Sequence, residues 1–335
     1  MRKTLKIVLF TLVMIELSMF EIKEVKYVME EKTNKTLEAA VISKEYNENF
    51  YNDYLQIDYQ EKEDFIKEIN IFLEKKYTAD EINNIYLSFK PTNIRKLLDK
   101  NYLNLSDFFN IRNFDADNYP RYVSWNKDNI DLQTIVTYVN IGLDKDFYSF
   151  YDELNNTDSY TILINKYHRL SASYTPLDLI SLSFDEKYKL RAAVVDGLEK
   201  LLDTAQKDGH YIAPYSAYRS YEYQEKLYNS YVQKDGKAAA DEYSARPGHS
   251  EHQSGLAVDI TSIGNVNELS ERDFNWIAQN AYKYGFIVRY PKDKTAITGF
   301  REEPWHLRYV GIEVATAIQK TNLTFEEYYD LFIKD

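Results

Sequence analysis

Cysteine is absent from the 335-residue chain, which excludes a disulfide framework, a thiolate nucleophile, a Cys-ligated zinc and a lipidated Cys at once. Glycine (10) and proline (7) are too scarce for a loop-dominated or collagen-like chain. No Gly-rich phosphate loop follows any strand pattern. Positive charge is in deficit: 41 Lys and Arg against 53 Asp and Glu leave a net charge of −12, which argues against nucleic acid as a partner. Long apolar runs are also missing. The stretch from Leu5 to Phe20 is interrupted by Lys6, Thr11, Glu16 and Ser18 and is shorter than the ~20 residues of a spanning helix. Histidine is rare, with only five in the chain. What is present is ordinary for a folded protein: 44% hydrophobic and 28% charged residues, with 31 tyrosines suited to amphipathic packing.

Met1-Arg2-Lys3 followed by the Leu5–Phe20 run has the order of an export signal, a basic n-region before an apolar h-region. Residues 1–22 therefore read either as a cleaved signal or as a short uncleaved anchor, which predicts an extracytoplasmic, cell-wall-associated protein touching the membrane only through this segment. Residues 23–60 read as a linker. Residues 61–160 have helical texture, with Phe65, Ile69, Phe72 and Leu73 at helical spacing and Thr78-Ala79-Asp80-Glu81 as a cap. From 161 to 335 short strands and helices alternate irregularly, which predicts an α+β fold rather than a doubly wound sheet. Here Ser183-Phe184-Asp185-Glu186 reads as a capping box before a long helix that stops at Asp208-Gly209. Strands are expected at Tyr215–Tyr218, Leu256–Ile260 and Trp305–Tyr309. Helices are expected after Ser220, from Ser270 to Gly285, from Gly311 to Lys320 and from Phe325 to Ile333.

Three of the five histidines, His249, His252 and His306, lie beside carboxylates in the last third of the chain. On the Leu256–Ile260 strand, Asp259 faces away from the apolar side. Gly255 permits a sharp entry that can swing His252 back toward Asp259. His306 lies opposite the Trp305, Leu307 and Tyr309 face of its own strand. If the two strands are neighbours, His252, Asp259 and His306 can share one cation. Two imidazoles and one carboxylate, with a fourth position left to water, is the pattern of a catalytic zinc site. His249, three residues from His252, is a rival ligand. Glu303, which Pro304 pushes out of helical conformation onto a loop, is the unassigned carboxylate best placed as general base.

Ser250-x-His252-x-x-Gly255-x-Ala257-x-Asp259 followed by Glu303-x-x-His306 resembles the lysostaphin, D-Ala-D-Ala metallopeptidase and Hedgehog superfamily. The wider text, Ser216 to Ser220, Pro247 to His252, Tyr284 to Pro291 and Glu303 to Gly311, is similar to its VanY-type D-alanyl-D-alanine carboxypeptidase branch. The resemblance covers about Ile162 to the C-terminus. It implies a C-terminal metallopeptidase domain with a small antiparallel sheet flanked by helices, one Zn²⁺ on His252, Asp259 and His306, and Glu303 as the base. It further implies that Arg219 binds the substrate's terminal carboxylate, that Gln224 and Ser250 contact substrate, and that Tyr290 edges the cleft. The implied reaction is removal of the C-terminal D-alanine from peptidoglycan stem peptides by attack of a metal-bound water. The alternatives are an L,D-carboxypeptidase on tetrapeptide stems and an inactive wall-binding scaffold.

Overall fold

The computed structural model describes residues 34–62, 64–88, 94, 108, 111–125, 130–155, 157–264 and 268–334. The chain divides into two compact units, one through Pro120 and one from Arg121.

In the first unit, α1 (Lys35–Ser43) and α2 (Tyr51–Tyr54) precede α3 (Phe65–Glu74) and α4 (Ala79–Ser88). Phe65, Ile69, Phe72 and Leu73 of α3 are buried, as their spacing predicts. Thr78 and Glu81 exchange the reciprocal hydrogen bonds of a capping box at the start of α4. The stretch from residue 34 onward, expected as linker, is instead partly helical: Leu37, Ala40 and Tyr54 are buried, and Tyr54 Oη donates to Asn70 Oδ1 at 2.6 Å. Its apolar residues Ala39 to Ile42 run consecutively rather than at the helical spacing that marks α3, so the sequence pattern announces no amphipathic helix there.

The apolar stretch from Leu5 to Phe20 lies outside the described residues. Among the described residues no helix is long and apolar enough to cross a membrane. The longest helix noted below has 16 residues and one polar face, short of the ~20 needed to span. The expected extracytoplasmic, membrane-tethered address is therefore corrected: nothing in the described structure supports it.

The second unit is a mixed α+β structure. Helix α5 (Leu132–Asn140) is followed by the two-residue parallel pair β1 (Asp152–Glu153) and β2 (His168–Arg169), the hairpin β3 (Leu179–Leu182) and β4 (Asp185–Arg191), and helix α6 (Ala192–Lys207). Next come β5 (Ile212–Ser216), α7 (Tyr221–Asp235), α8 (Lys237–Tyr243), β6 (Ala257–Ser262), α9 (Glu271–Asn280), β7 (Phe286–Tyr290), β8 (Glu303–Tyr309), α10 (Ile312–Thr321) and α11 (Phe325–Phe332). Four strands form one antiparallel sheet in the order β5-β6-β8-β7.

Val194, Leu198, Leu201 and Ala205 of α6 recur at helical spacing and are fully buried. They join one core with Val258 and Ile260 of β6, Phe286 of β7 and Leu307 of β8. Each large aliphatic side chain so buried contributes roughly 1.5–3 kcal/mol. Ile287 alternates to the other side of β7, where it meets Val310, Ala315, Ile318 and Phe325 in a second cluster under α10 and α11. The sheet thus packs one face on the main core, while its other face carries Asp259 and His306 beside the smaller cluster.

Two local expectations are corrected. Ser183-Phe184-Asp185-Glu186 is the turn and first strand residues of the β3–β4 hairpin, not a helix cap; α6 begins only at Ala192. Leu182 and Leu190 are buried there, and pairing with β3 overrides the helical reading of the charged stretch. The expected strand at Tyr215–Tyr218 runs instead over Ile212–Ser216, on the sheet edge, where Pro214 is tolerated.

Candidate active site

The polar face of the sheet carries the site. β6 and β8 pair so that Asp259 lies directly across from His306. Directly opposed cross-strand residues have Cβ atoms roughly 4.5–5.5 Å apart. The third member arrives through a 3₁₀ turn, Glu251–Ser254, that ends at Gly255 in left-handed conformation, φ +67°. A Cβ on Gly255 would fall 2.8 Å from Leu179 Cδ2 and 3.1 Å from Arg191 Cγ, so only glycine closes this turn. The turn sets His252 beside Asp259, and His252 Nδ1 donates to the Ala217 carbonyl at 2.7 Å.

The geometry that follows is convergent. His252 Nε2 is 3.2 Å from Asp259 Oδ2, and His306 Nδ1 is 3.2 Å from Asp259 Oδ1. One ligand atom from each of the three residues lies within 4.8 Å of the other two. All three side chains are buried, yet His252 Nε2 and Asp259 Oδ1 make no hydrogen bond. Buried polar atoms are nearly always paired, so unpaired atoms aimed at one point fit a cation.

The charges of the cluster are strongly coupled. Burial, aided by the Arg219 guanidinium, pulls His252 down to about 4, so its ring is neutral at pH 7. Burial alone would also lower His306, but Asp259 and Glu251 on its two sides hold it up at about 9. Burial would raise Asp259, but the two imidazoles keep it well below the usual carboxylate range. Glu303 Oε2 stands 3.8 Å from His306 Nδ1, and burial pushes its carboxyl up to about 7 against the pull of His306. Glu303 is the first residue of β8, paired with Tyr290, rather than on a preceding loop.

A cleft of about 490 Å³ opens over this cluster and is lined by Arg219, Gln224, Ser250, Tyr290, Glu303 and Trp305 among others. Arg219 Nη2 is 3.6 Å from Asp259 Oδ2, and its buried Nε has no hydrogen-bond partner. Gln224, capped into α7 just after Ser220, donates from Nε2 to the Ala245 carbonyl at 2.7 Å and leaves Oε1 unpaired. Ser250 is buried at the foot of the cleft. The Tyr290 ring packs 5.0 Å from that of His306 and 4.8 Å from that of Phe300. The residues singled out from the sequence are thus gathered around one cavity.

His249 is not among them. Its Nδ1 bonds the Asn165 carbonyl at 2.8 Å, and the rings of Tyr148 and Tyr151 meet it edge-on. Gly248, at φ +84°, turns the chain immediately before it. The residue that sequence reasoning passed over is Glu251. It is buried, bonds His306 Nε2 at 3.2 Å and pairs with Arg289 and Arg308. Strand alternation offered a signal, because Arg308 shares its face of β8 with His306.

With this geometry in hand, the relatives become informative. The family model described as VanY, D-alanyl-D-alanine carboxypeptidase, matches residues 187–312, which hold Arg219, His252, Asp259, Glu303 and His306. The "Putative carboxypeptidase YodJ" of Bacillus subtilis (strain 168) is 43% identical over 191 residues, covering 53% of this chain and 70% of that protein. A D-alanyl-D-alanine carboxypeptidase of Enterococcus faecalis (strain ATCC 700802 / V583) is 41% identical over 176 residues, covering 50% of this chain and 64% of that protein. The solved structure of the LdcB LD-carboxypeptidase shares 41% identity, covers 55% of this chain and 95% of its own, and superposes with a TM-score of 0.50. The chain belongs to the VanY family of D-alanyl-D-alanine carboxypeptidases, within the D-Ala-D-Ala metallopeptidase superfamily.

Proposed function

We propose that residues 161–335 form a zinc carboxypeptidase domain that removes the C-terminal D-alanine from peptidoglycan stem peptides. The observation that carries this reading is the pair of unpaired buried atoms, His252 Nε2 and Asp259 Oδ1, beside His306 Nδ1 in one cluster. His252, Asp259 and His306 are the ligands, and two imidazoles with one carboxylate suit zinc better than magnesium or calcium. A zinc ion held there would supply Lewis acidity toward the scissile carbonyl and lower the pKa of a bound water to near neutrality.

The remaining work falls to the protein's own groups. Glu303, buried and close to His306, takes a proton from the attacking water and returns it to the departing amine. Its carboxyl is poised near neutrality by burial, and a neighbouring dication favours the ionised form that the first transfer needs. Arg219 grips the terminal carboxylate of the substrate through two parallel N–H donors. Its unpaired Nε is one such donor. Gln224 Oε1 and the Ser250 hydroxyl complete the pocket for the leaving residue, and Tyr290 forms its wall. A clamp for a chain end favours an exopeptidase over an endopeptidase, whose substrate offers no free carboxylate at that position.

A second reading, cleavage of tetrapeptide stems as an L,D-carboxypeptidase, draws support from the likeness to LdcB. Mass spectrometry of purified protein with pentapeptide and tetrapeptide stems separates the two. Loss of one alanine from the pentapeptide alone supports the D,D reading. Loss from the tetrapeptide alone moves the assignment to L,D.

A further inference from the structure

Beneath the ligand cluster lies a closed array of four charges. Glu251 Oε1 accepts from Arg289 Nε and from Arg308 Nη1, each at 2.7 Å. The other nitrogens of Arg289 meet both oxygens of Glu326, at 2.9 and 2.6 Å. Those of Arg308 donate to the carbonyls of Tyr160, Ile162 and Tyr309. Two guanidiniums and two carboxylates balance to zero, and all four side chains are at most 2% exposed. Glu326 reaches the array from the first turn of α11, fixed by the Thr324–Glu327 capping box. Stability does not demand such an arrangement, since well-packed apolar residues commonly serve as well as a buried ion network. What the array does deliver is a division of labour within one carboxylate. Oε1 is saturated by two cations, and Oε2 is left for His306 Nε2.

We infer that Glu251 is a positioning residue for the metal ligand His306, holding a proton on Nε2 so that Nδ1 presents its lone pair to the ion, with Arg289, Arg308 and Glu326 fixing Glu251 in turn. Histidine ligands generally owe their tautomer to the acceptor on the far nitrogen, and loss of that acceptor typically costs about 10–100-fold in metal affinity. His252 uses the opposite nitrogens: Nδ1 donates to the Ala217 carbonyl and Nε2 faces Asp259. The two rings are therefore fixed in opposite senses by two different acceptors. This inference rests on the metal-site reading above, but concerns a residue outside the ligand set.

The test is Glu251→Gln. The amide keeps the shape but has one acceptor. Arg289 and Arg308 claim it, which turns the amide NH₂ toward His306 Nε2 and drives the ring proton onto Nδ1, the nitrogen the metal needs. Two measurements are made on ¹⁵N-histidine-labelled protein: zinc affinity by chelator competition, and ring tautomers by long-range ¹H–¹⁵N correlation. In zinc-loaded wild type, His306 should carry its proton on Nε2 with Nδ1 shifted by the metal, and His252 should show the reverse. Folded Glu251→Gln should bind zinc about 10–100-fold more weakly and, metal-free at alkaline pH, show the Nδ1–H tautomer at His306. Zinc affinity within twofold of wild type in a folded variant, or His306 metallated through Nε2, would overturn the inference. Should the variant not fold, the wild-type spectrum alone decides. Failure of zinc to bind wild type at all would instead sink the metal-site reading.

Discussion

Glu303→Gln separates chemistry from binding. The side chain is 10% exposed and its Oε2 sits 3.8 Å from His306 Nδ1. The amide preserves its volume, and because the carboxyl is raised to about 7 the substitution replaces a group already partly neutral at pH 7 without an ion. The expected stability change is therefore within ~1 kcal/mol. The three ligands are untouched, so zinc content should not change. Arg219 is untouched, so KM should hold within a few-fold. The loss should appear in kcat. A positioned acid–base group is worth about 10²–10⁴-fold, which at 1.36 kcal/mol per tenfold is roughly 3–5 kcal/mol of transition-state stabilisation. D-Alanine release from a synthetic stem peptide, followed over enzyme concentrations spanning four orders of magnitude, reads it directly. If the variant retains zinc and kcat stays within tenfold of wild type, Glu303 is not the base. If wild type releases nothing and the variant is indistinguishable from it, the scaffold alternative gains.

Arg219→Lys replaces a planar fork by a point charge and should raise KM about 10–100-fold while kcat changes little; on a substrate with an amidated C-terminus, the difference between the two enzymes should vanish. His249 is held near 4 by burial, against 6.5 in the unfolded chain. The unfolded state then binds the proton first, so stability is complete above pH 6.5 and falls as pH drops toward 4, by about 3 kcal/mol. His249→Asn should flatten that part of the stability–pH curve, and an unchanged slope in denaturant titrations would contradict the assignment. Gly197→Ala should destabilise despite the ~1 kcal/mol gain in helix propensity, because its Cβ would stand 2.7 Å from the Tyr284 carbonyl oxygen; a variant with a higher Tm would show that α6 shifts freely.

How much of this was legible beforehand depends on the range of the interaction. Alternation along two short strands was enough to set Asp259 and His306 facing one way, and the structure makes them direct cross-strand partners. The caps at Ser220, Ser270 and Thr78 and the stop at Gly285 are local hydrogen-bonding devices, and each lies where the sequence predicts. The hairpin from Leu179 to Arg191 was misread because its pairing, not its composition, makes it a strand. His249 could not be told from His252 by spacing; the turn at Gly248 sends it to Asn165 instead. Alternation along β8 sets Arg308 on the face of His306, but nothing local ties Glu251 to either: Arg289 and Arg308 come from separate strands 38 and 57 residues away, and Glu326 comes from a third element.

The central claim is that His252, Asp259 and His306 hold one catalytic zinc ion. Metal analysis of the purified protein, paired with stem-peptide hydrolysis before chelation, after chelation and after zinc is restored, tests it most directly. The account predicts one zinc per chain, loss of D-alanine release on chelation and its recovery with one equivalent of zinc. Undiminished release from metal-free protein would contradict it.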